Sequence, residues 1–476
     1  MQVVALTNNY MMLGAGLLPE GGVKLRNAGA RDRFRKRKSI RLRSPRMRRT
    51  TSARRGVCII VENLPVPADR RVWREARTLA DDGYQVSVIC PKGCGFEKFH
   101  ETLEGVEVYR HWAWESSGTR LGYLIEYSWA LLIEFLLAFR IYVRTPFSIL
   151  QACNPPDTIF LIALFFKLFG VQFVFDYHDP NPELYALKFP KKRLVYQLVC
   201  LAERLTFQAA DFVIATSESG REIAVNRGGV SHERVVVVRT CPDLDEFQPQ
   251  LAQPELKLGR KYMVVYLGVM GPQDGLDLLL ESVDYLVHEK CRQDTVFVLI
   301  GPGPEVPRLQ ALVTARGLEP WVKFTGPLYG DELQAYLSTA DVGVAPDPSN
   351  VFNDKLTMIK ILEYMAFGLP VVIFNLAEGR RLAGEAALYA RANDPSDFAL
   401  QIAALLESEP LRRRIGSIGR QRVQERLNWT KEKHKLLLVF QCVQPGSHKK
   451  ALDSDSHLTG PAHLSDEDCH SLKRRG

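Results

Sequence analysis

Between Asn353 and Asn375 the chain reads NDKLTMIKILEYMAFGLPVVIFN, a stretch dense in side chains that can do chemistry. Lys360 and Glu363 are three apart, so on a helix they project from one face. Thr357 is placed to N-cap that helix, whose apolar Met358, Ile361, Leu362 and Met365 recur at helical spacing. A helix start presents free backbone N–H groups, a ready anion site. An anion site, a lysine and a carboxylate able to accept two hydroxyls together suit a nucleotide diphosphate and its ribose. Gly368 and Pro370 end the helix, and Val371–Phe374 reads as a buried parallel strand.

Other reactive types stand in loops that follow strands. Gly268, Gly271 and Gly275 follow the strand Met263–Leu267, where backbone can approach a phosphate closely; alone, three glycines say little. Gly301 and Gly303, in GPGPE, either line a cleft or make a turn. His178 follows QFVFDY and opens HDPNPE, although a lone histidine is more often structural. Asp69-Arg70-Arg71 can bind an anionic acceptor, or its arginines can form salt bridges with Asp69 and Glu75.

These residues require a scaffold of alternating strands and helices. Strands are expected at 57–61, 85–90, 106–109, 149–152, 173–175, 212–215 and 235–238, with an amphipathic helix through Val72, Ala76, Leu79 and Ala80. After a polar linker over 251–260 a second series begins. Strands at 263–267, 295–300, 322–325, 342–345 and 371–374 alternate with helices at 276–287, 305–316, 331–339 and 357–367. Such alternation predicts doubly wound parallel sheets, with ligands at the carboxyl ends of the strands. The apolar segment 122–144 is interrupted by Glu126, Glu134 and Arg140, which favours a buried or interfacial helix over a membrane span. Lys188, Lys191, Lys192 and Arg193, set among Phe189, Leu194 and Tyr196, suit either a helix edge on anionic lipid or a solvated charge run.

The length of 476 residues calls for two domains plus appendages, and 46% apolar with 24% charged residues is a globular composition. Nine scattered cysteines with no CxxC pairing or HExxH pattern read as reduced thiols in a cytoplasmic protein. The net charge of +8 is local. Residues 1–55 hold 15 of the 62 Lys+Arg and two of the 54 Asp+Glu, leaving 47 basic against 52 acidic side chains elsewhere. That arm lacks apolar periodicity and is expected to be disordered, as is the polar tail 445–476. The arm reads as an electrostatic ligand for lipid or nucleic acid, as a transit segment, or as sequence upstream of a start at Met47. With Phe34 its one aromatic among the arginines, base stacking has little support.

Five separated motifs, IIVENLPVPADRRVWREARTLADDGYQVSVICP, CNPPDTIFLIALFFKLFGVQFVFDYHDPNPELY, VVYLGVMGPQDGLDLLLES, FVLIGPGPEVPRLQALVTARGLEPWVKFTG and NDKLTMIKILEYMAFGLPVVIFNLAEGR, resemble a bacterial subgroup of the family 4 glycosyltransferases over residues 56–430. The resemblance implies the GT-B fold: an α/β architecture of two Rossmann-like doubly wound domains facing a cleft. Residues 56–250 would form the acceptor side and 257–430 the nucleotide-sugar side. It also implies a UDP- or GDP-sugar donor, retention at the anomeric carbon, and neither metal nor cofactor. The acceptor would be a saccharide or lipid-linked, in polysaccharide or lipopolysaccharide biosynthesis. The setting would be cytoplasmic, with peripheral contact to the anionic inner face of the plasma membrane, and with no specific nucleic acid.

Residue by residue, Glu363 matches the distal Glu of the family's E-x7-E motif, which binds the donor ribose. Thr357, Lys360, Gly268, Gly271, Asp274, Gly301 and Gly303 fall on the donor side, and Pro327 and Leu328 where the family places the base. His178 resembles the histidine near the transferred sugar, with a positioning or charge-stabilising role. Asp179 and Glu183 are further candidates, and Arg70 and Arg71 face the acceptor side. Two departures stand out. Val269 and Asp274 occupy positions where relatives carry an Arg and a Lys, and Lys355 stands where the first Glu of E-x7-E falls. Lys360, with Lys355, is therefore expected to replace the missing cations on the diphosphate. The alternatives are a nucleotide-sugar 2-epimerase of the same fold, or a surface binder acting through the basic arm.

Overall fold

In a computed structural model the described residues are 55–93, 95–112 and 120–444. The basic arm and the polar tail, on which two expectations rest, lie outside them. Among the described residues, fourteen strands form two sheets. The first contains β1 (Gly56–Ile60), β2 (Gln85–Pro91), β3 (His100–Leu103), β4 (Val106–His111), β5 (Ile149–Cys153), β6 (Gln172–Tyr177), β7 (Phe212–Ala215) and β8 (Val235–Val237), in the order β3-β4-β2-β1-β5-β6-β7-β8. Only β3 runs antiparallel, against β4. The second contains β9 (Tyr262–Leu267), β10 (Thr295–Ile300), β11 (Val322–Gly326), β12 (Val342–Ala345), β13 (Val371–Phe374) and β14 (Ala387–Ala390), in the order β11-β10-β9-β12-β13-β14. All its pairings are parallel.

The central strands are continuous apolar runs because helices cover both faces. GVCII of β1 and TVFVLI of β10 are buried throughout. Period two sends Cys58 and Ile60 into one core layer, and Val57 and Ile59 into the other. Short polar residues start several helices: Asp69 accepts from Val72 N–H at 3.0 Å, and Ser217 from Gly220 N–H at 2.9 Å.

The edge strands β3 and β14 and the helices beyond residue 390 carried no clear signal in the sequence. One of those helices, Trp429–Val443, leaves the second sheet and packs on the first, where Leu436, Val439, Phe440 and Val443 join the core beside Val72, Ala76 and Tyr84. Each such burial contributes about 1.5–3 kcal/mol. Trp429 fastens the crossing, its indole N–H donating to Thr78 Oγ1 at 3.2 Å and its backbone N–H to Pro242 O at 3.0 Å. Segment 122–144 lies within one helix, Arg120–Arg144, and no described helix is long and apolar enough to cross a membrane.

Candidate active site in the interdomain cleft

Helix Arg70–Asp81 follows the loop after β1, which brings both arginines to the carboxyl end of the first sheet. They part there. Arg71 is buried, binding Asp176 at 2.7 Å, Glu75 at 3.0 Å and the Val238 carbonyl at 2.8 Å. The Glu75 pair matches one of the two expected salt bridges; Asp69 instead caps the helix. Arg71 is thus an internal tie and not an acceptor contact. Arg70 is 55% exposed and reaches across the cleft to Glu363, at 3.6 Å.

β6 delivers Asp176, then His178 and Asp179. Nε2 of His178 lies 2.7 Å from the buried Asp176 carboxylate, and its backbone N–H donates to Asn154. Burial opposes the charged imidazolium, but Asp176 outweighs it and raises the affinity of His178 for a proton. Burial would likewise raise Asp176, but Arg71 and His178 hold its carboxyl well below the usual range. Asp176 therefore favours protonation of His178, while Arg71 Nε–H, 3.0 Å from the same Nε2, opposes it; the two partners fix the ring at the base of the cleft, which suits a positioning or charge-stabilising role. Cys153, Asp176 and His178 bring three potential metal ligands within 4.8 Å of one another. A cation there would meet the Arg71 guanidinium on the same carboxylate, so the donor set fits a metal poorly. The Asp179 carboxylate has no hydrogen bond or ion pair among the described residues; burial raises its pKa, with His178 and Lys188 opposing.

In the second domain, Gly268 N–H bonds the Ile300 carbonyl and Met270 N–H bonds the Pro302 carbonyl. A Cβ on Gly301 would lie 1.9 Å from Gly268 O, and one on Gly303 2.3 Å from Met270 O. These two glycines let the loops after β9 and β10 stack on each other, a reason the sequence did not reveal. Gly271 N–H donates to Asp274 Oδ2 at 3.0 Å. Pro327 is exposed and Leu328 half-buried, just past β11.

Helix Ile359–Ala366 starts two residues later than expected. Thr357 does not cap it: its hydroxyl donates to the Thr216 carbonyl of the first domain at 3.0 Å, and Met358 holds the cap position without a side-chain acceptor. Lys360 also departs from expectation. Instead of standing free for a diphosphate it is buried, with Nζ 2.9 and 3.0 Å from the two oxygens of Asp347 and 3.8 Å from Asp274. Burial opposes its charge, and the two aspartates more than compensate, raising its pKa. Burial pushes Asp274 up to about 6 despite Lys360. Glu363, 15% exposed, is raised by burial, with Arg70, Arg74 and Lys360 opposing.

The domains also meet beside this centre. Lys355 Nζ binds Glu183 Oε1 at 2.5 Å, so each residue has a partner across the cleft. Arg227 holds Glu183 from behind at 2.7 and 3.1 Å. Ser219 gives its N–H and hydroxyl to Glu378, both at 2.8 Å. Sequence reasoning missed Glu378 and Asp347, whose importance lies wholly in partners distant along the chain. It also missed a buried acidic group near the carboxyl end of the first sheet. Neither oxygen of Glu134 has a hydrogen bond, nor have Glu62 Oε2 and His111 Nε2, which lies 3.8 Å from Glu134. Burial pushes Glu62 up to about 8, with Glu126 adding to the effect.

Two doubly wound domains with a charged cleft between their strand ends define a GT-B glycosyltransferase architecture. Comparison with known families agrees: residues 68–241 match the glycosyl transferase 4-like domain and residues 261–408 the glycosyl transferases group 1 domain. The chain belongs to this glycosyltransferase family. It is 25% identical over 295 residues to sulfoquinovosyl transferase SQD2 of Arabidopsis thaliana, covering 59% of this chain and 54% of that protein. The chain spans about half the length of the curated relatives it matches. Sucrose-phosphate synthase from Thermosynechococcus elongatus shares the fold with a TM-score of 0.67 at 18% identity, covering 81% of this chain and 98% of that one. HepE from Anabaena, solved with UDP and glucose, has a TM-score of 0.62 at 17% identity, covering 80% and 98%.

Proposed function

We propose that this glycosyltransferase takes its sugar from a UDP- or GDP-sugar and passes it, with retention and without a metal ion, to a saccharide or lipid-linked acceptor. The observation that carries the reading is the Glu363–Arg70 pair across the cleft. Glu363 stands on a helix whose start has no side-chain cap, so a carboxylate for the ribose and N–H groups for the diphosphate share one element. Ribose hydroxyls that engage Glu363 release Arg70, an exposed cation, toward the phosphates. His178, whose protonation Asp176 favours, stabilises negative charge near the sugar. The binding of UDP and glucose by the fold neighbour HepE supports UDP as the first donor to try. A cytoplasmic setting belongs to the same reading, and all seven described cysteines are free thiols.

The test is a thermal-shift and hydrolysis screen of UDP-, GDP- and ADP-sugars, with and without EDTA, on wild type and Glu363→Gln. One nucleotide-sugar should stabilise the wild type and not the variant, and EDTA should change neither result. Anomeric NMR of the product settles retention. If no nucleotide-sugar raises Tm, the reading fails.

A further inference from the structure

The first domain carries a face that sugar transfer does not use. Helices Arg120–Arg144, Phe160–Lys167 and Arg193–Ala209 lie side by side over one side of the eight-stranded sheet. Phe135 meets Phe165 edge-on at 4.9 Å, and Lys167 Nζ reaches the Ala209 carbonyl at 2.7 Å, so the three form one surface. Their inner sides fill the core.

Their outer sides are apolar as well. On the third helix Leu194, Leu198 and Leu201 recur at i, i+4 and i+7. With Leu132 and Leu136 on the first and Leu164 on the second, they are 46–71% exposed. Single exposed leucines are ordinary, but stripes on three adjacent helices mark an interaction surface. The charges on this surface have one sign. Among the described side chains of these helices every exposed charge is basic: Arg140, Arg144, Arg193 and Arg204, with Lys191 and Lys192 just before the third helix. Two of the acids, Glu134 and Glu203, are buried, and Glu126 is half-buried. None of those six cations has an ion-pair partner among the described residues. Outside the basic arm acids outnumber bases, so a wholly basic face is a local feature of an acidic body.

We propose that this three-helix face docks on an anionic lipid bilayer, the leucines entering the headgroup–acyl boundary and the cations meeting lipid phosphates. A second copy of the chain fits less well, because a two-fold pairing of this face would set cation against cation. No described helix can cross the bilayer, so the helices lie along it. The basic run 188–193 follows directly on the helix that carries Glu183, which puts the face at the border of the cleft. The surface is independent of which sugar is moved.

The experiment is flotation of the full chain with phosphatidylcholine vesicles, with and without phosphatidylglycerol. Binding is expected only with the anionic lipid, together with quenching of Trp129 by brominated acyl chains that is absent in Trp129→Phe. Leu136→Glu/Leu164→Glu/Leu198→Glu should weaken vesicle binding about tenfold or more without changing the donor-induced thermal shift. Arg140→Gln/Arg144→Gln/Arg193→Gln keeps the apolar packing and should reduce binding and its salt dependence. Unaltered binding in both triple variants, or an unquenched Trp129, overturns the proposal and assigns any binding to the arm. A dimer abolished by the leucine variant, with no vesicle binding by the wild type, overturns it in favour of a self-interface.

Discussion

Lys355 of the second domain and Glu183 of the first close on each other at 2.5 Å, with Arg227 donating to both oxygens of the same carboxylate. The family resemblance implies a carboxylate at the position of Lys355. Here that position carries the opposite charge, and the pair fastens the cleft. Lys355→Glu would set two carboxylates against each other. The expected result is a more open molecule, seen as a larger radius of gyration in solution scattering, and a raised donor KM. An unchanged radius would show that other contacts alone hold the domains together.

Glu363→Gln keeps the shape and removes the charge that accepts ribose hydroxyls. Hydrogen bonds to charged groups contribute about 1.5–3 kcal/mol, so kcat/KM for the donor should fall roughly 10- to 100-fold. Arg70→Met should raise KM more mildly, because Arg70 is largely in water in the unliganded cleft. Equal losses in the two variants would point to the pair acting as a unit.

Lys360→Met is a test of stability before it is a test of catalysis. It leaves Asp347 buried without its partner, and breaking such a pair costs about 3–5 kcal/mol. A large fall in Tm is expected, with partial recovery in Lys360→Met/Asp347→Asn. Donor kinetics of the recovered double variant then report what Lys360 does for the diphosphate.

That pair also shows how far the sequence could be read. The strand Val371–Phe374 and the amphipathic helix before it were legible because their signals are local: apolar periodicity, a glycine and a proline. The surroundings of Lys360 were not, since Asp347 precedes it by 13 residues in another loop and reaches it only through the sheet. Thr357 reads as a cap by local rules, yet its hydroxyl is taken by Thr216, 141 residues earlier. Tertiary hydrogen bonds overrode local preference at the residues nearest the cleft. The family pattern identified Glu363 and His178 as residues to follow, but could not say that Arg70 and Asp176 would be their partners.

Asp274 stands where the family resemblance implies a cation, and burial pushes its carboxyl up to about 6. Above that pH its negative charge opposes a diphosphate; below it the neutral acid does not. Donor KM should therefore fall as pH is lowered from 7 through about 6. Asp274→Asn should bind the donor better at pH 7 and flatten the profile, as isothermal titration or initial rates would show.

Glu62 supplies a stability prediction. Its carboxyl is pushed up from 4.5 to about 8, so the folded chain keeps a proton that the unfolded chain releases. The associated stability is complete below pH 4.5 and is lost progressively as pH rises to about 8. Glu62→Gln cannot ionise and should exceed the parent in Tm by several degrees above pH 8, with little difference near pH 4.5. Equal melting curves across that range would place Glu62 in contact with water.

Because helix Trp429–Val443 returns to the first core, the second domain is an insertion, tethered by two strands of chain rather than one. The tethers run side by side where Trp429 N–H bonds the Pro242 carbonyl. A double tether pinned at one point leaves the two domains fewer ways to move against each other than a single linker would. That restriction favours the facing of Glu363 and Arg70 across the cleft. Order at the active site is then maintained by a helix that never touches it.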